Sequence, residues 1–396
     1  MGKLIVHQEK VQDIAALIKI CPFGAMEDKA GKIEINSACR LRKLCVKRGK
    51  GVFEFVEEAI SEIDKSAWRG IAVYVDHVDG KIHPVTYELI GKARELAAKI
   101  NQPVYAIFLG EGINQKAQEI LHYGVDKVYT CDKKELRAFN IENYATAFAT
   151  FINKVKPAVI LVGATPVGRQ LAPRVAAHFH TGLTADCTVL DIHENTDLVQ
   201  IRPAFGGNIM AEILTPNHRP QMATVRYKIM DAPKRSDEIS GSVEPLEVDV
   251  AEFTSKVEVL SITKKPHEIG IENADVLIVA GRGVKKKEDL TLICELAEVL
   301  NGDYACTRPL VENGWLEPKR QIGLSGRTVR PKLIITCGVS GSVQFVAGME
   351  HSEQIFAINT DPKASIFKVA NYAVVGDIYE VIPKLIDRIK HGRGIA

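Results

Sequence analysis

The sequence lacks any long apolar run, and neither sign of charge is in excess. A membrane-spanning helix requires about 20 apolar residues, whereas the runs here, such as 276–280 and 333–335, are far shorter. The 51 Lys and Arg residues nearly balance the 49 Asp and Glu residues, which leaves a formal net charge of +2. We therefore expect neither insertion into a membrane nor binding of nucleic acid, because no overall field attracts a polyanion.

Several signatures of hydrolytic enzymes and of secreted proteins are also missing. The chain contains no Gly-x-x-x-x-Gly-Lys-Ser/Thr motif and no Gly-x-Ser-x-Gly motif, and its histidines are not spaced as metal ligands. Its eight cysteines are spread over 396 residues without a secretory leader at the N-terminus, a pattern that is typical of a reducing compartment. We predict a cytoplasmic protein without machinery for hydrolysis.

The composition is that of a folded protein, with 46% hydrophobic and 25% charged residues. A chain of 396 residues predicts two or three domains. We predict a small module over residues 1–65, an α/β domain over 66–235, a connector over 236–265 and a second α/β domain over 266–396. Short β-branched runs alternate with amphipathic stretches in both larger domains, which indicates parallel sheets covered on both faces.

Two stretches depart from this alternation. After Gly182, strands follow one another without long helices, and we expect them to form an antiparallel addition on the edge of the first sheet. Residues 228–265 are charged, contain two prolines and lack a long periodic segment. We interpret this stretch as a connector that contains a hinge.

The second α/β domain carries the strongest indication of a binding site. Its strands end in loops rich in small or polar residues, at Gly281-Arg282-Gly283, 338–342, 359–362 and Gly376-Asp377. The carboxyl ends of parallel strands meet at one edge of a sheet, so these loops should line one crevice. Free amides in the 338–342 loop suit a phosphate group, although an ordinary strand-to-helix turn has the same pattern. Asp377 is either a ribose ligand or a helix N-cap.

A series of motifs in this order resembles the α subunit of the electron transfer flavoproteins. The motifs are Gly281-Arg282-Gly283, Thr307-Arg308, Gln321–Gly326, Gly338–Gln344, Ala347–Met349, Ala357–Asn359 and Asp361-Pro362, preceded by Gly163–Thr165, Thr181–Cys187, Arg202–Asn208 and Arg219–Arg226. The resemblance covers about residues 70 to 390. It implies two doubly wound parallel-sheet domains joined by a hinge, of which the second binds FAD.

The resemblance also implies which residues surround the flavin. These are Arg282, Thr307, Arg308, Gln321, Ile322, Gly323, Leu324, Ser325, Ser340, Gly341, Ser342, Val343, Gln344, Phe345, Asn359, Asp377 and Ile378. Arg282 would place a cation near the isoalloxazine ring, and Ser340 would lie at the pyrophosphate. Phe345 departs from the family, because many members carry histidine there. A hydrogen-bond donor to the flavin is thus missing, unless Phe345 only packs on its helix and another donor compensates.

The same resemblance implies the partners and the function. We expect a heterodimer with an electron transfer flavoprotein β subunit, in which this chain carries electrons between a flavin-containing dehydrogenase of the acyl-CoA or lactate type and the flavin of the β subunit. The sequence of Thr181–Cys187 is more similar to that of family members from anaerobes that bifurcate electrons than to that of mitochondrial-type members. This similarity suggests NAD and ferredoxin as further redox partners. The alternative is a nucleotide-binding regulatory or transferase module that uses the same crevice without redox chemistry.

The first 65 residues resemble a degenerate bacterial ferredoxin, in which cysteine runs hold two iron–sulfur clusters. Cys21-Pro22 matches the end of a first run, and Cys39 and Cys45 match a second run whose middle cysteine is replaced by Arg42. Because one of four ligands is missing, we favour a ferredoxin-like α+β module that has lost its cluster. The alternative is a cluster held by three cysteines and an outside ligand. The other five cysteines are predicted to be buried apolar residues.

Overall fold

The computed structural model describes residues 2–36, 38–57, 63–204, 209–239, 241–263 and 270–392. The chain divides into two compact units, Met1–Ile63 and Asp64–Ala396. Within the described ranges, no helix is both long enough and apolar enough to cross a membrane.

The first unit follows the order strand, helix, strand, strand, helix, strand. Its elements are β1 (Gly2–Val6), α1 (Ile14–Ile18), β2 (Met26–Lys29), β3 (Lys32–Ile35), α2 (Leu44–Arg48) and β4 (Phe53–Glu57). Strands β1 and β4 pair antiparallel, and β2 and β3 form a hairpin. A small apolar core that includes Met26, Ile33 and Phe53 lies between these elements.

The second unit contains two parallel sheets, and we call the parts built on them the first and the second α/β region. The first region consists of β5 (Ile71–Tyr74), β6 (His77–Val78), β7 (Lys81–Ile82), α3 (Val85–Ile100), β8 (Val104–Gly110), α4 (Asn114–Leu121), β9 (Lys127–Asp132), α5 (Ile141–Val155), β10 (Val159–Gly163), α6 (Gly168–His178), β11 (Leu183–Cys187), β12 (Val189–Ile192), β13 (Leu198–Ala204), β14 (Ile209–Ile213), β15 (Gln221–Val225) and β16 (Ser242–Pro245).

Seven strands within the described residues form the first sheet, in the order β11-β15-β10-β5-β8-β9-β16. Every pair of neighbours in it is parallel. Val73 packs with α3 and α4 on one face, and Tyr74 packs with α5 and α6 on the other. The continuous apolar character of these strands follows from burial on both faces, so the α/β fold class predicted from the sequence is confirmed here.

The antiparallel addition lies elsewhere than the sequence suggested. Strands β12, β13 and β14 pair only with one another in the part of the chain that is described, as a separate antiparallel sheet. Strands β11 and β15 are instead parallel members of the first sheet. The expectation of an antiparallel edge was wrong because closely spaced strands look alike in sequence, whether or not they pair with their neighbours in the chain.

Most of the segment predicted as a connector is bound to the first region. The backbone N–H of Lys228 donates to the Glu88 carboxylate at 2.9 Å, and Ser236 and His122 exchange two hydrogen bonds. Further along, β16 adds to the sheet edge beside β9, and Asn140 Nδ2 donates to Ser255 Oγ at 2.7 Å. The stretch that could act as a hinge is therefore shorter than the sequence indicated.

The second region consists of β17 (Val276–Ala280), α7 (Leu290–Val299), β18 (Asp303–Cys306), α8 (Arg308–Glu312), β19 (Leu333–Cys337), α9 (Val343–Val346), β20 (Gln354–Asn359), β21 (Tyr372–Val375) and α10 (Ile378–Lys390). Its described strands form a parallel sheet in the order β18-β17-β19-β20-β21. Helices α7 and α10 cover one face. Strand β18 was not foreseen, because its four residues include the polar Asp303 and a tyrosine rather than a β-branched run.

We predict that the buried Glu88 makes stability depend on pH. Burial raises the pKa of its carboxyl from an ordinary value of 4.5 to about 7, against the opposing effects of the Lys228 and Met230 amides and of Arg330. The folded state therefore prefers the protonated acid, and the stability it contributes is lost as pH rises through about 7. The Glu88→Gln variant should lack this loss, which amounts to about 3 kcal/mol.

Urea unfolding at a series of pH values measures the effect. Relative to the natural chain, Glu88→Gln should gain stability between pH 4.5 and about 7 and keep a constant difference above that window. The exposed Glu298, on α7, provides a control as Glu298→Gln. A pH profile of Glu88→Gln that runs parallel to that of the natural chain would contradict the assignment.

Candidate cofactor-binding site

A crevice of about 690 Å³ opens at the carboxyl edge of the second sheet, between loops that follow all five of its described strands. Its volume lies within the range of small-molecule and cofactor sites. It is lined by Arg282, Gly283, Lys285, Thr307, Gly338, Val339, Ser340, Ser342, Phe345, Asn359, Thr360, Gly376, Asp377 and Ile378. The loops meet there because all strands of this sheet run in the same direction.

The loop after β19 leaves a row of backbone donors without acceptors at the wall of this crevice. The N–H groups of residues 339–342 have no acceptor among the described residues. The loop carbonyls, in contrast, are used: Gly283 N donates to Gly338 O at 3.0 Å, and Ile366 N donates to Ser340 O at 3.1 Å. Consecutive N–H groups without a protein acceptor form a site for an anion such as a phosphate. Helix α9 has only four residues, so the loop amides themselves supply the donors.

Two glycines allow the loop to take this shape. Gly338 and Gly341 have φ values of +66° and +81°, which side chains rarely adopt. A Cβ atom at Gly338 would lie 2.6 Å from Gly283 Cα, and one at Gly341 would collide with the backbone of Ile366. The glycines are thus required both by conformation and by close backbone packing.

Two cations stand at the crevice wall. Arg282 is exposed there and has no ion-pair partner in the described part of the chain. Lys285 is held in place because its backbone N–H donates to Tyr379 Oη at 2.8 Å, and Tyr379 in turn donates to Asp289. Its Nζ lies 3.9 Å from Asp377 Oδ2. Free amides and cations together match the charge of a pyrophosphate.

The two residues expected on the ribose side are partly engaged in the protein. Asp377 caps α10, since Oδ1 accepts the N–H of Tyr379 at 3.0 Å, while Oδ2 remains on the crevice side near Lys285. Asn359 Nδ2 donates to Val339 O at 2.8 Å, and its Oδ1 accepts the N–H of Asp361. The structure is thus compatible with Asp377 both as a helix N-cap and as a ribose ligand. Asn359 also holds the 338–342 loop in position.

The structure brings eight of the predicted residues into the crevice: Arg282, Thr307, Ser340, Ser342, Phe345, Asn359, Asp377 and Ile378. The others lie outside its lining, namely Arg308, Gln321, Ile322, Gly323, Leu324, Ser325, Gly341, Val343 and Gln344. Arg308 is exposed and pairs with Glu312 at 2.8 Å. Leu324 N donates to Gln344 O at 2.8 Å, which places the 321–325 loop against α9. Their contact with a ligand stays a prediction.

Phe345 is almost completely buried, with 4% of its surface exposed. It packs in the apolar cluster beneath the sheet with Ile322, Met349 and Ile366, and it also forms part of the crevice wall. This packing fits the interpretation that the side chain fills space on its helix. The donor that replaces a histidine at this position would have to come from another lining residue.

Six lining residues were not among the predicted ligands. Five of them belong to loops that the sequence placed at the crevice, namely Gly283, Gly338, Val339, Thr360 and Gly376. Lys285 lies outside those loops. It comes two residues after the Gly281–Gly283 turn, but a lysine in a charged stretch is indistinguishable in sequence from a solvated one. Only the bond from its backbone to Tyr379 distinguishes it.

In the first unit, Cys21, Cys39 and Cys45 line a common cavity together with Arg40, Arg42 and Lys43. Burial raises the pKa of the Cys45 thiol, and the nearby Cys39 and Cys21 raise it further. Among the described residues, no group of three or more potential ligands is arranged to hold a metal ion. The three cysteines thus lie around one cavity, and the loss of the cluster stays a prediction.

Comparisons with known proteins agree with this arrangement. Residues 71–251 match the electron transfer flavoprotein domain, and residues 270–350 match the electron transfer flavoprotein FAD-binding domain. The chain is 55% identical, over 98% of its length and 93% of the relative, to the lactate dehydrogenase (NAD(+),ferredoxin) subunit LctC of Acetobacterium woodii. It is 43% identical to the electron transfer flavoprotein subunit alpha of Thermoanaerobacterium thermosaccharolyticum, over 82% of this chain and 98% of that one.

A third relative is the acryloyl-CoA reductase electron transfer subunit beta of Anaerotignum propionicum, 36% identical over 85% of this chain and 99% of that one. The chain therefore belongs to the α-subunit family of the electron transfer flavoproteins. The Acetobacterium protein matches nearly the whole chain. Its match must therefore include most of residues 1–63, which form the first unit.

We predict that a methyl group at Gly341 disrupts the row of free backbone N–H groups at residues 339–342. The Gly341→Ala variant would force an unfavourable positive φ and a collision with Ile366, so the 338–342 loop must move. Affinity for FAD, measured by isothermal titration, should fall at least tenfold while the far-UV circular dichroism stays native, which corresponds to about 1.4 kcal/mol or more.

The control is Gly314→Ala. Gly314 has a similar φ of +69° but nothing within 4 Å of the added methyl group, and it lies outside the 338–342 loop. It should lose some stability and keep its affinity for FAD. Equal losses of FAD affinity in the two variants would show that the loss is not specific to the 338–342 loop.

Proposed function

We propose that this chain binds FAD in the crevice of the second α/β region and carries electrons between a partner dehydrogenase and the flavin of a β subunit. The row of free amides at residues 339–342 is the observation that carries the proposal. A pyrophosphate supplies the acceptors that these donors lack. The match of residues 270–350 to a flavin-binding family domain supports FAD rather than another dinucleotide.

Different residues of the crevice would bind different parts of such a cofactor. The loop amides and Ser340 would bind the pyrophosphate, with Lys285 adding positive charge. Asp377 Oδ2 remains available to a ribose hydroxyl. Arg282 would place a fixed cation near the isoalloxazine ring, where it favours negative charge on the reduced ring. The bound flavin supplies the redox chemistry, since it accepts and donates electrons one or two at a time.

The names of the relatives support partners of two kinds. The Thermoanaerobacterium relative is an α subunit, which supports a β subunit as the partner of this chain. The relatives from Acetobacterium and Anaerotignum are named as parts of a lactate dehydrogenase and of an acryloyl-CoA reductase. We therefore propose a flavin-containing dehydrogenase as the second partner, and we favour the lactate type because that relative is the more similar of the two.

We further propose that the assembly couples NAD and ferredoxin by electron bifurcation or confurcation. The support is the printed name of the Acetobacterium relative, which includes both NAD(+) and ferredoxin, and the coverage of nearly the whole chain by that match. The first unit, in which three cysteines meet beside three cations, would then face a redox partner without holding a cluster of its own. Iron and sulfide analysis of anaerobically purified protein tests the loss of the cluster, and stoichiometric iron would overturn it.

The absorbance spectrum of the purified chain tests the proposal of FAD. We expect a yellow protein with one FAD per chain, released on denaturation and identified by chromatography. Apoprotein should regain the flavin spectrum when FAD is added. A colourless protein that binds ADP or AMP but not FAD would favour the alternative, a nucleotide-binding regulatory or transferase module without redox chemistry.

Stopped-flow reduction by NADH tests the coupling to NAD. The chain is co-expressed with an electron transfer flavoprotein β subunit from the same organism, and flavin bleaching is followed under anaerobic conditions. We expect NADH to reduce flavin in the heterodimer, whereas the FAD-loaded chain alone, which serves as the control, should not react. If NADH reduced no flavin of the heterodimer, the proposed coupling to NAD would be contradicted, whereas the proposal of FAD binding would not be affected.

A further inference from the structure

Arg226 reaches from the first α/β region to the loop of residues 321–325 in the second. It follows β15 directly, and its Nη2 donates to the backbone carbonyl of Leu324 at 2.7 Å. Its side chain is only 15% exposed. A charged donor on a partly buried carbonyl makes a stronger hydrogen bond than a neutral one, so this contact is more than a transient surface encounter.

The guanidinium of Arg226 is held in place from its own region. The same Nη2 lies 3.1 Å from Asp186 Oδ2, and Arg169 approaches the same carboxylate at 3.1 Å. Asp186 itself sits at a bulge in β11, with a φ of +59°, and its backbone N–H donates to Thr224 Oγ1 at 2.9 Å. The irregular backbone of β11 thus aims one carboxylate at two arginines.

The loop that receives Arg226 is in turn fixed within the second region. Gln321 Nε2 donates to Ser325 Oγ at 2.8 Å, and Gly323 N donates to the carbonyl of Arg327 at 3.1 Å. The N–H of Leu324 donates to Gln344 O of α9 at 2.8 Å, while its carbonyl accepts from Arg226 of the first region. The loop that carries this acceptor is thus hydrogen-bonded to other parts of the second region.

A second contact between the regions is much weaker. Arg330 Nη1 lies 2.6 Å from Asp231 Oδ1, but these side chains are 40% and 84% exposed. Ion pairs as exposed as this contribute little to stability. The pair thus offers a matched control, because it also joins the two regions through an arginine.

We propose that Arg226 is an interdomain positioning residue, which Asp186 holds ready and which fixes the 321–325 loop of the second α/β region against the first. The cation belongs to one region and the loop to the other. The loop therefore has this positive charge beside it only while the two regions lie together as they do here.

The consequence for a cofactor rests on the proposed function. The 321–325 loop is one of the segments that the family resemblance places around the flavin. A cation that contacts it through Leu324 would favour reduction of the flavin, and would do so only in the docked arrangement. The position of the second region would thereby influence how readily its flavin accepts electrons.

Distance measurements on the full chain test the positioning role without FAD. Spin-label amino acids replace the exposed Lys154, on α5, and Lys384, on α10, and double electron–electron resonance reports the distance between the regions. We expect a single narrow distribution in the natural chain and in the control Arg330→Gln. In Arg226→Gln the distribution should broaden and shift to longer distances. Arg226→Lys keeps a charged donor to the carbonyl and should restore most of the narrow component.

A second variant covers the case in which Arg226→Gln does not fold. Asp186→Asn leaves Arg226 in place but removes the charge that holds it, and should broaden the distribution to a smaller extent. Circular dichroism shows which of these two variants are folded. If every folded variant keeps the distance distribution of the natural chain, the proposal is overturned.

The consequence for the flavin is tested separately on FAD-loaded protein, where Arg226→Gln should lower the reduction potential of the flavin and Arg330→Gln should not. If the chain bound no FAD, only the proposed function would fail, because the distance measurement needs no cofactor.

Discussion

Backbone amides without a protein acceptor are the constraint on which the candidate site depends. Within the described residues, the N–H groups of 339–342 are left free while the carbonyls beside them are bonded to Gly283 and Ile366. A loop that exposes only donors is stabilised by an anion and is costly to bury without one. Two glycines keep the loop in this shape, and the parallel strands around it bring Arg282 and Lys285 to the same edge. The crevice is thereby prepared for a negatively charged ligand before the ligand arrives.

The same region depends on the first one for its position. Much of the described chain that leads toward the second region is not a free tether, since Lys228, Ser236, β16 and Ser255 are all bound to the first region. Among the described residues, two hydrogen-bonded contacts between the regions are made by arginines, and of these the Arg226 contact is the better shielded from water. An electron carrier that must meet more than one partner benefits from such polar contacts, because they hold an arrangement without the large apolar interface that would make it permanent.

Much of this architecture could be predicted from the sequence, because parallel sheets impose continuous apolar strands and polar loops at one edge. The loops predicted at 338–342 and at Gly376-Asp377 follow directly on β19 and β21. The pattern did not indicate which strands pair, so β15 was expected in an antiparallel edge and β16 was interpreted as part of a connector. In the site, the glycine loops were recognisable because few residues tolerate their backbone. Lys285 and Arg226 were not recognised as site or interdomain residues, because their roles depend on Tyr379 and Leu324, which lie 94 and 98 residues further along the chain.

An experimental structure of the chain crystallised with FAD tests the central claim most directly. Our account predicts density for the pyrophosphate against the amides of residues 339–342, with the adenosine half toward Asp377 and the isoalloxazine ring toward Arg282. FAD bound at another place in the chain, with the 338–342 loop unoccupied or closed by a protein acceptor, would contradict it.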